Sequence, residues 1–470
     1  MKYDFDVLIV GAGIPGSLLA KKIAEAGFKA GLLDVREKKE IGHPWEVTVE
    51  KEVFGKICLK LPGKNLFEEC PLITRFYALN RKEHVQVDSD RESGFCIQHS
   101  KLNKVLLKMA LSAGVEFLGN HVVCGLRLHG KNIVGVSGVH RNGMFKKSFN
   151  KTGMIVVDAS GVSAVIRRRV PEDFMIKSRL HKQDYASGWQ ELRSIDSAQA
   201  NKLIQNVGLF PGICYTRIGK YHAYQTIHLR KDHKVNLIFG SSLTKGSKSA
   251  YTICKDFLSA YPYFGKQLHG GGGLIPIRRS LDNMVGNGFL CLGDCACQVI
   301  PTIGSGVASS MHAASIAAST IISALNRGDV SLAGLWSYNY RYQTERGAIL
   351  ASYDIVRRFL QSLSIREING IFKAGLLRDE NFINTFSSNE VRYNINQILE
   401  NLGKFFSNFR LLPLGVRFIQ MARDSQKALN IYKNYPPGFN RDLFLKWQTE
   451  TNNLFSHYRT FREGFKEKYI

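Results

Sequence analysis

Three short segments carry residue types that together could hold a phosphate, a sugar and a flat ring. The first is Gly11-Ala12-Gly13-Ile14-Pro15-Gly16, with an acid, Asp34, about twenty residues on. Gly11 permits a tight turn, Gly13 lets the backbone approach a pyrophosphate, and Gly16 lets a helix lie close to a strand. The N-terminus of such a helix offers free N–H groups and the positive end of its dipole to the phosphates. Asp34 can accept hydrogen bonds from both ribose hydroxyls, which disfavours a 2′-phosphate there. The second segment is Asp158-Ala159-Ser160-Gly161, followed by Ser163 and Arg167. The third is Gly293-Asp294, followed by Pro301, Gly304, Ser305 and Gly306, then a helix of small residues. Small residues at 304–310 let backbone come close to a planar ring, and bare N–H groups at a helix start stabilise negative charge on it.

The elements that must position these residues are legible around them. Phe5–Val10 is a near-continuous apolar run, as expected of a strand buried on both faces of a parallel sheet. A helical pattern follows, in which Leu18, Leu19, Ile23 and Ala24 share a face, and Gly27 ends it. A second short strand closes on Asp34. This βαβ unit over 5–34 suits NAD or FAD equally. Ile155–Val157 and 289–292 read as further buried strands, each running directly into its segment. Residues 122–150 read as hairpin strands with Gly and Asn turns.

The second and third segments resemble the fingerprints of the group A flavoprotein hydroxylase-like superfamily. The similarity spans about residues 4–360 and is strongest toward its geranylgeranyl reductase family. "GGGLIPIRRSLDNMVGNGFLCLGD" resembles that family's lead-in to the third fingerprint, and 335–364 resembles its following helices. The resemblance implies FAD as cofactor, with the Asp294 side chain on the ribityl O3′ and the next helix start beneath the flavin pyrimidine. Carried over residue by residue, it assigns Gly11, Gly13, Ile14, Pro15, Gly16, Asp34, Val35, Arg36, His99, Val123, Ala159 and Gly161 to FAD. It adds Gly293, Asp294, Pro301, Gly304, Ser305 and Gly306. The implied fold is α/β: a Rossmann-type FAD-binding domain (1–170 and 275–330), an inserted antiparallel-sheet substrate domain (171–274), and a helical C-terminal region (331–470).

The sequence departs from the family at several points. The Cys-Gly pair expected after the second strand is absent from 41–54, where Trp45 and Glu46 stand instead. His99 occupies the place of an Arg that contacts the FAD phosphates, with Lys101 or Arg36 as substitutes. The substrate motif, a Pro…Tyr-x-Trp-x-Phe-Pro run, is reduced to "FPGICYTRIGKYHAY" at 210–224, where Tyr215 survives.

Residues 185–193, 221–230 and 234–242 read as strands of a sheet that roofs the flavin. Aromatic candidates for its pocket are Trp189, Tyr215, Tyr221 and Tyr224; Trp189, Tyr215, Tyr221 and Cys295 are the candidates for catalysis. The leading expectation is reduction of a carbon–carbon double bond of an isoprenoid or other lipid. The alternative is an FAD monooxygenase or hydroxylase acting on an aromatic or apolar small molecule. No dedicated NADPH segment is visible, so the electron donor is left between a ferredoxin-type protein and NAD(P)H.

Composition bounds the rest. The 470 residues are 44% apolar, enough for two to three domains with sizeable cores. The formal charge of +25 is carried by dispersed Lys and Arg without a nucleic-acid-binding motif, which favours anionic lipid surfaces over nucleic acid. Nine irregularly spaced cysteines lack metal-ligand spacing and point to a reducing compartment. The expected location is cytoplasmic, with peripheral contact on the inner membrane face. The apolar, basic stretch 405–423 is the candidate for lying on that surface. Residues 303–325 lack Lys, Arg, Asp and Glu but are dominated by Ser, Ala and Gly, so a buried helix is expected there.

Overall fold

The computed structural model describes residues 2–61, 63, 66–69, 73–77, 84–88, 94–218, 223–230, 232–244, 246–373 and 412–458. The N-terminal part runs β1 (Phe5–Val10), α1 (Ile14–Glu25), β2 (Ala30–Leu33), β3 (Glu46–Glu50), α2 (Glu52–Lys56), β4 (Phe67–Glu69), β5 (Ile73–Tyr77), β6 (His84–Asp88) and β7 (Gly94–Gln98). It continues with α3 (His99–Ser112), β8 (Glu116–Leu118), β9 (His121–His129), β10 (Asn132–Asn142) and β11 (Phe145–Asp158). The middle holds β12 (Tyr185–Ser194), α4 (Ser197–Val207), β13 (Ile213–Ile218), β14 (Tyr224–Leu229), β15 (Lys234–Ser242), α5 (Ala250–Ala260) and β16 (Gln267–Pro276). Then follow β17 (Val285–Gly286), β18 (Phe289–Cys291), α6 (Val307–Arg327), α7 (Leu332–Tyr342), α8 (Ala348–Ser362), α9 (Ile365–Lys373), α10 (Leu412–Lys433) and α11 (Arg441–Ser456).

The first sheet has the order β17-β18-β11-β1-β2-β8, with β9 and β10 extending from β11 as an antiparallel meander. β18, β11, β1, β2 and β8 pair in parallel. Their buried apolar runs sit between helices, as a parallel sheet covered on both faces requires. The register aligns Val10 with Asp158 and Asp158 with Cys291, so three neighbouring strands end side by side. α1 begins with a proline in its first turn, whose missing N–H costs nothing there. α6 packs across α1, and its Ala- and Ser-rich faces are buried. It is the one helix among the described residues long and apolar enough to cross a membrane, and 72% of that stretch is buried inside the fold.

The second sheet is seven-stranded, in the order β16-β12-β15-β14-β13-β5-β6. It departs from the expected domain boundaries, because β5 and β6 come from residues 73–88 and join it by parallel pairing of β5 with β13. One face carries its own apolar core with α4 and α5, including Ile227, Leu237, Phe239 and Phe257. α4 starts at a reciprocal cap, in which the Gln199 N–H donates to Asp196 and the Asp196 N–H donates to Gln199. A small sheet, β3-β7-β4, bridges the two larger ones. Its Glu46 is tied to the second sheet: the backbone N–H donates to Gln190 at 2.6 Å, and Arg230 and Asn236 each donate to the carboxylate at 3.2 Å.

The stretch 405–423 admits a membrane-surface helix or one packed on the main body, and its described residues are packed. Leu414, Phe418, Met421 and Ala422 of α10 are buried, and the helix packs along α8 with the Ser352 and Ser425 hydroxyls 2.6 Å apart. Residues 405–411 lie outside the described residues.

Candidate active site

The three glycine-acid segments meet at the carboxyl ends of β1, β11 and β18, where open α/β sheets bind their ligands. A Cβ on Gly11 would stand 2.2 Å from the Ala159 carbonyl oxygen, and Gly11 has φ +109. A Cβ on Gly16 would stand 2.0 Å from the Gly11 carbonyl oxygen and 3.3 Å from the Ala159 side chain. These glycines are therefore where the first segment closes on the second. Gly293 meets the first segment in the same way: its Cβ would come 3.2 Å from Pro15. By contrast, a Cβ on Gly161 would touch nothing within 4 Å, and one on Gly13 would meet only Pro15 at 3.8 Å. Those two positions look into open space, which leaves a cradle for a flat or phosphorylated ligand.

The polar groups around the cradle fall into two sets. One set holds the loops. Asp158 is fully buried and accepts from Ser160 N–H and Oγ and from the N–H groups of Ile166 and Arg167, so it shapes its own segment. The Ala12 carbonyl accepts from Ser17 Oγ at 3.1 Å and from Asn103 Nδ2 at 2.8 Å. Asn103 is a loop-holding residue that the sequence reading missed. The available signal was a polar residue on the apolar face formed by Leu102, Leu106 and Ala110.

The other set faces a ligand. Asp34 is buried, accepting from Ala12 N–H at 2.8 Å and from Arg36 N–H at 2.9 Å and Nε at 3.2 Å. The turn after β8 runs beside it, with the His121 N–H on the Asp34 carbonyl, and Val123 follows on β9. Val35 is exposed in the loop after β2. The Asp294 carboxyl has no hydrogen-bond partner among the described residues, and burial pushes it up to about 6. Its Oδ1 stands 3.3 Å from where a Gly306 Cβ would be, at the uncapped start of α6, which has no acid in its first turn. Pro301 and the Ser305 carbonyl, which accepts from Ile300 N–H at 2.8 Å, shape the loop into that helix, and Gly304 turns it at φ +73. An unpartnered acid beside bare helix N–H groups suits a ring system with a hydroxylated chain and an anionic edge, the chemistry of a flavin.

His99 corrects an expectation. Its Nδ1 accepts from His43 N–H at 3.2 Å, and His43 stacks on Trp45 with ring centroids 4.1 Å apart. Burial, then the neighbouring His43, pushes His99 down to about 3, and burial pushes His43 to about 4. His99 is a neutral ring at physiological pH and does not replace a cationic arginine. Arg36 supplies the nearby charge, held between Asp34 and the Gly42 carbonyl at 3.2 Å, while Lys101 is exposed.

The face of the second sheet turned toward this cradle is marked by Gln190, Gly188 and Ile275. Gln190 reaches β3, and Ile275 lies 3.4 Å from where a Gly304 Cβ would be. The pairing puts Gly273, Gly240, Ile238, Thr226, Tyr224 and Thr216 on that face. A Cβ on Gly273 would meet nothing within 4 Å, and Tyr224 lies over Gly240. The glycine run of β16 thus leaves room above the third segment. Burial pushes the Tyr224 phenol up to about 12, so it stays protonated at neutral pH.

Of the catalytic candidates, Trp189 and Tyr215 fall on the other face of the second sheet. Trp189 sits on the opposite face, against Tyr251 of α5, and donates to Glu191 at 2.9 Å. Tyr215 is buried in the core of that same face, and its hydroxyl accepts from Phe210 N–H at 2.9 Å. The Cys295 thiol donates to the carbonyls of Asp158 at 2.9 Å and Leu292 at 3.1 Å, and burial raises its pKa far above the usual thiol value. It is a structural thiol, not a reactive one. Tyr221 lies outside the described residues.

Fold and cradle together have the form of an FAD-dependent oxidoreductase, and the comparisons with known proteins agree. Among known proteins the chain resembles isoprenoid-lipid reductases, at low sequence identity. No protein-family model matches it. It is 27% identical to the digeranylgeranylglycerophospholipid reductase of Sulfolobus acidocaldarius, over 97% of this chain and 98% of that one. A geranylgeranyl bacteriochlorophyll reductase-like protein from Thermoplasma acidophilum shares the fold with a TM-score of 0.67 at 18% identity, covering 87% of this chain and 99% of that one. A halogenase solved in complex with FAD superposes with a TM-score of 0.57 at 12% identity, over 97% of this chain and 96% of that one.

Proposed function

We propose that the chain binds FAD in this cradle and reduces carbon–carbon double bonds of an isoprenoid chain carried by a lipid. The observation that carries this reading is the end-to-end similarity to the Sulfolobus acidocaldarius phospholipid reductase. The cradle supports it independently, because its glycines, its lone acid and its uncapped helix suit that cofactor. When bound there in its reduced form, FAD would be the source of the hydride that the double bond needs.

The chain's own residues do the remaining work. Asp34 would accept from the ribose of the bound cofactor and Asp294 from its ribityl chain. The free N–H groups at the start of α6 would stabilise negative charge at the edge of a bound ring. The glycines of β16 and the apolar side chains of Ile238 and Ile275 shape a channel that excludes water from the reacting carbons. Tyr224 stands on the channel side with its proton retained, and we assign it as the proton donor that completes the reduction.

Mass spectrometry of lipids from cells with and without the gene product tests the reading. Lipids lighter by two mass units per unreduced bond are expected without it, and their return with the wild-type gene. An unchanged lipid profile, with hydroxylated or halogenated small molecules lost instead, would replace the reductase by a monooxygenase.

A further inference from the structure

A second pocket of about 320 Å³ lies outside the cradle, where the ends of the second sheet meet α8 and α11. It is strongly polar. Lys177, Arg278, Arg279 and Arg358 face two carboxylates, Asp184 and Asp282. Arg278 and Arg279 come just after the end of β16, three and four residues beyond Ile275 at the cradle.

The cations are not equivalent. Arg279 is spent on the fold: it donates to Asp282, to the Tyr432 hydroxyl and Asn452 Oδ1 at 3.2 Å each, and lies over the Phe455 ring. Arg358 is likewise held by Asp354 at 3.2 Å and Asp184 at 3.5 Å. Arg278 is different. It is 4% exposed, its Nε and Nη1 make no hydrogen bond, and its nearest carboxylate oxygen, on Asp184, is 3.9 Å away. Asp184 is already shared with Arg358 and is held below the usual carboxylate range by Arg278 and Arg358, against burial that raises it. Lys177 stands at the mouth with part of its side chain in solvent, pushed down to about 8 by partial burial of its ammonium and then by Arg278. A buried guanidinium with open donors is costly unless a partner arrives. Its planar fork matches a tetrahedral oxyanion, and Lys177 adds a point charge beside it.

We propose that this pocket binds a phosphate group, with Arg278 as the principal donor and Lys177 as the gate-side charge. Two sources share this chemistry: a free phosphate ester, or the headgroup of a phospholipid whose chains lie elsewhere on the protein. The site stands or falls independently of the flavin reading, since none of its residues belongs to the cradle.

Calorimetric titration of the full-length, flavin-loaded protein with inorganic phosphate and with glycerol 3-phosphate tests it. Binding is expected, weakened at least about tenfold in R278Q and about threefold in K177Q, as loss of a charge-assisted hydrogen bond predicts. If micellar phosphatidylglycerol displaces glycerol 3-phosphate while phosphate-free diacylglycerol micelles do not, the ligand is a lipid headgroup. If neither displaces it, the ligand is a free phosphate ester. Absence of binding by every phosphate probe at millimolar concentration overturns the proposal, as does wild-type affinity in both variants. Should R278Q fail to fold, K177Q decides alone, since Lys177 is solvent-facing and holds no part of the core.

Discussion

The floor of the cradle and the roof above it are built by opposite rules. In the floor, glycines at 11 and 16 are demanded by backbone: a Cβ would come within 2.2 Å of a carbonyl oxygen. In the roof, Gly273 is demanded by nothing in the protein, since a Cβ there would meet open space. The floor recognises a ligand by main-chain groups and fixed acids, which tolerates no drift. The roof recognises by shape, which many residue sets can supply. The difference explains why the floor's residues follow a strict pattern in this chain while the roof's do not.

The sharpest way to break the comparison is at Gly11. Gly11→Ala should cost about 2–5 kcal/mol from backbone strain plus the clash with Ala159, and should abolish flavin retention; urea melts and flavin content read both. In the roof, Gly273→Leu should leave flavin content and stability near wild type yet reduce turnover of a long isoprenoid about tenfold or more by filling the channel. Equal flavin loss in both variants would erase the distinction between floor and roof.

Asp294 yields a pH prediction for the flavin-free protein. Its folded pKa is raised to about 6 from 3.8, so the folded state holds this proton more tightly than the unfolded state does. The resulting penalty is absent below about 4, grows as pH rises from there to about 6, and is fully present above. Asp294→Asn should therefore gain on wild type over that window, by about 2–3 kcal/mol at pH 7, while binding FAD more weakly. A stability difference that does not change with pH would show that the carboxyl is not isolated as described.

Two tyrosines on opposite faces of the second sheet separate a structural hydroxyl from a catalytic one. Tyr215→Phe should cost about 1 kcal/mol through the lost hydrogen bond to Phe210 and leave kcat unchanged. Tyr224→Phe keeps the ring over Gly240 and should lower kcat with little change in KM or stability. The reverse outcome would put the active face on the helix-covered side of the second sheet.

The same contrast governs what the sequence made legible. The centre of the first sheet was readable because β1, the end of β11 and β18 are buried apolar runs that lead straight into the three glycine- or acid-bearing segments. Asp294 was legible through its spacing to Gly304. Asn103 was not, because its task is to hold the Ala12 carbonyl across 91 residues. The second sheet was legible as strands but not as faces. Trp189 and Tyr215 alternate away from the cradle, and only pairing with β15 and β14 reveals that. Nor could spacing show that β5 and β6 cross into that sheet, since the parallel partner of β5 lies 140 residues on. The Arg278 pocket was hidden for the same reason, being assembled from residues before β12, after β16 and on α8 and α11.

Anaerobic reduction of the flavin-loaded protein, followed by addition of a geranylgeranylated phospholipid, tests the central claim most directly. The account predicts return of the oxidised flavin absorption without oxygen, matched one for one by double bonds reduced. A flavin that stays reduced with the lipid, and reoxidises only when oxygen is admitted, would contradict it.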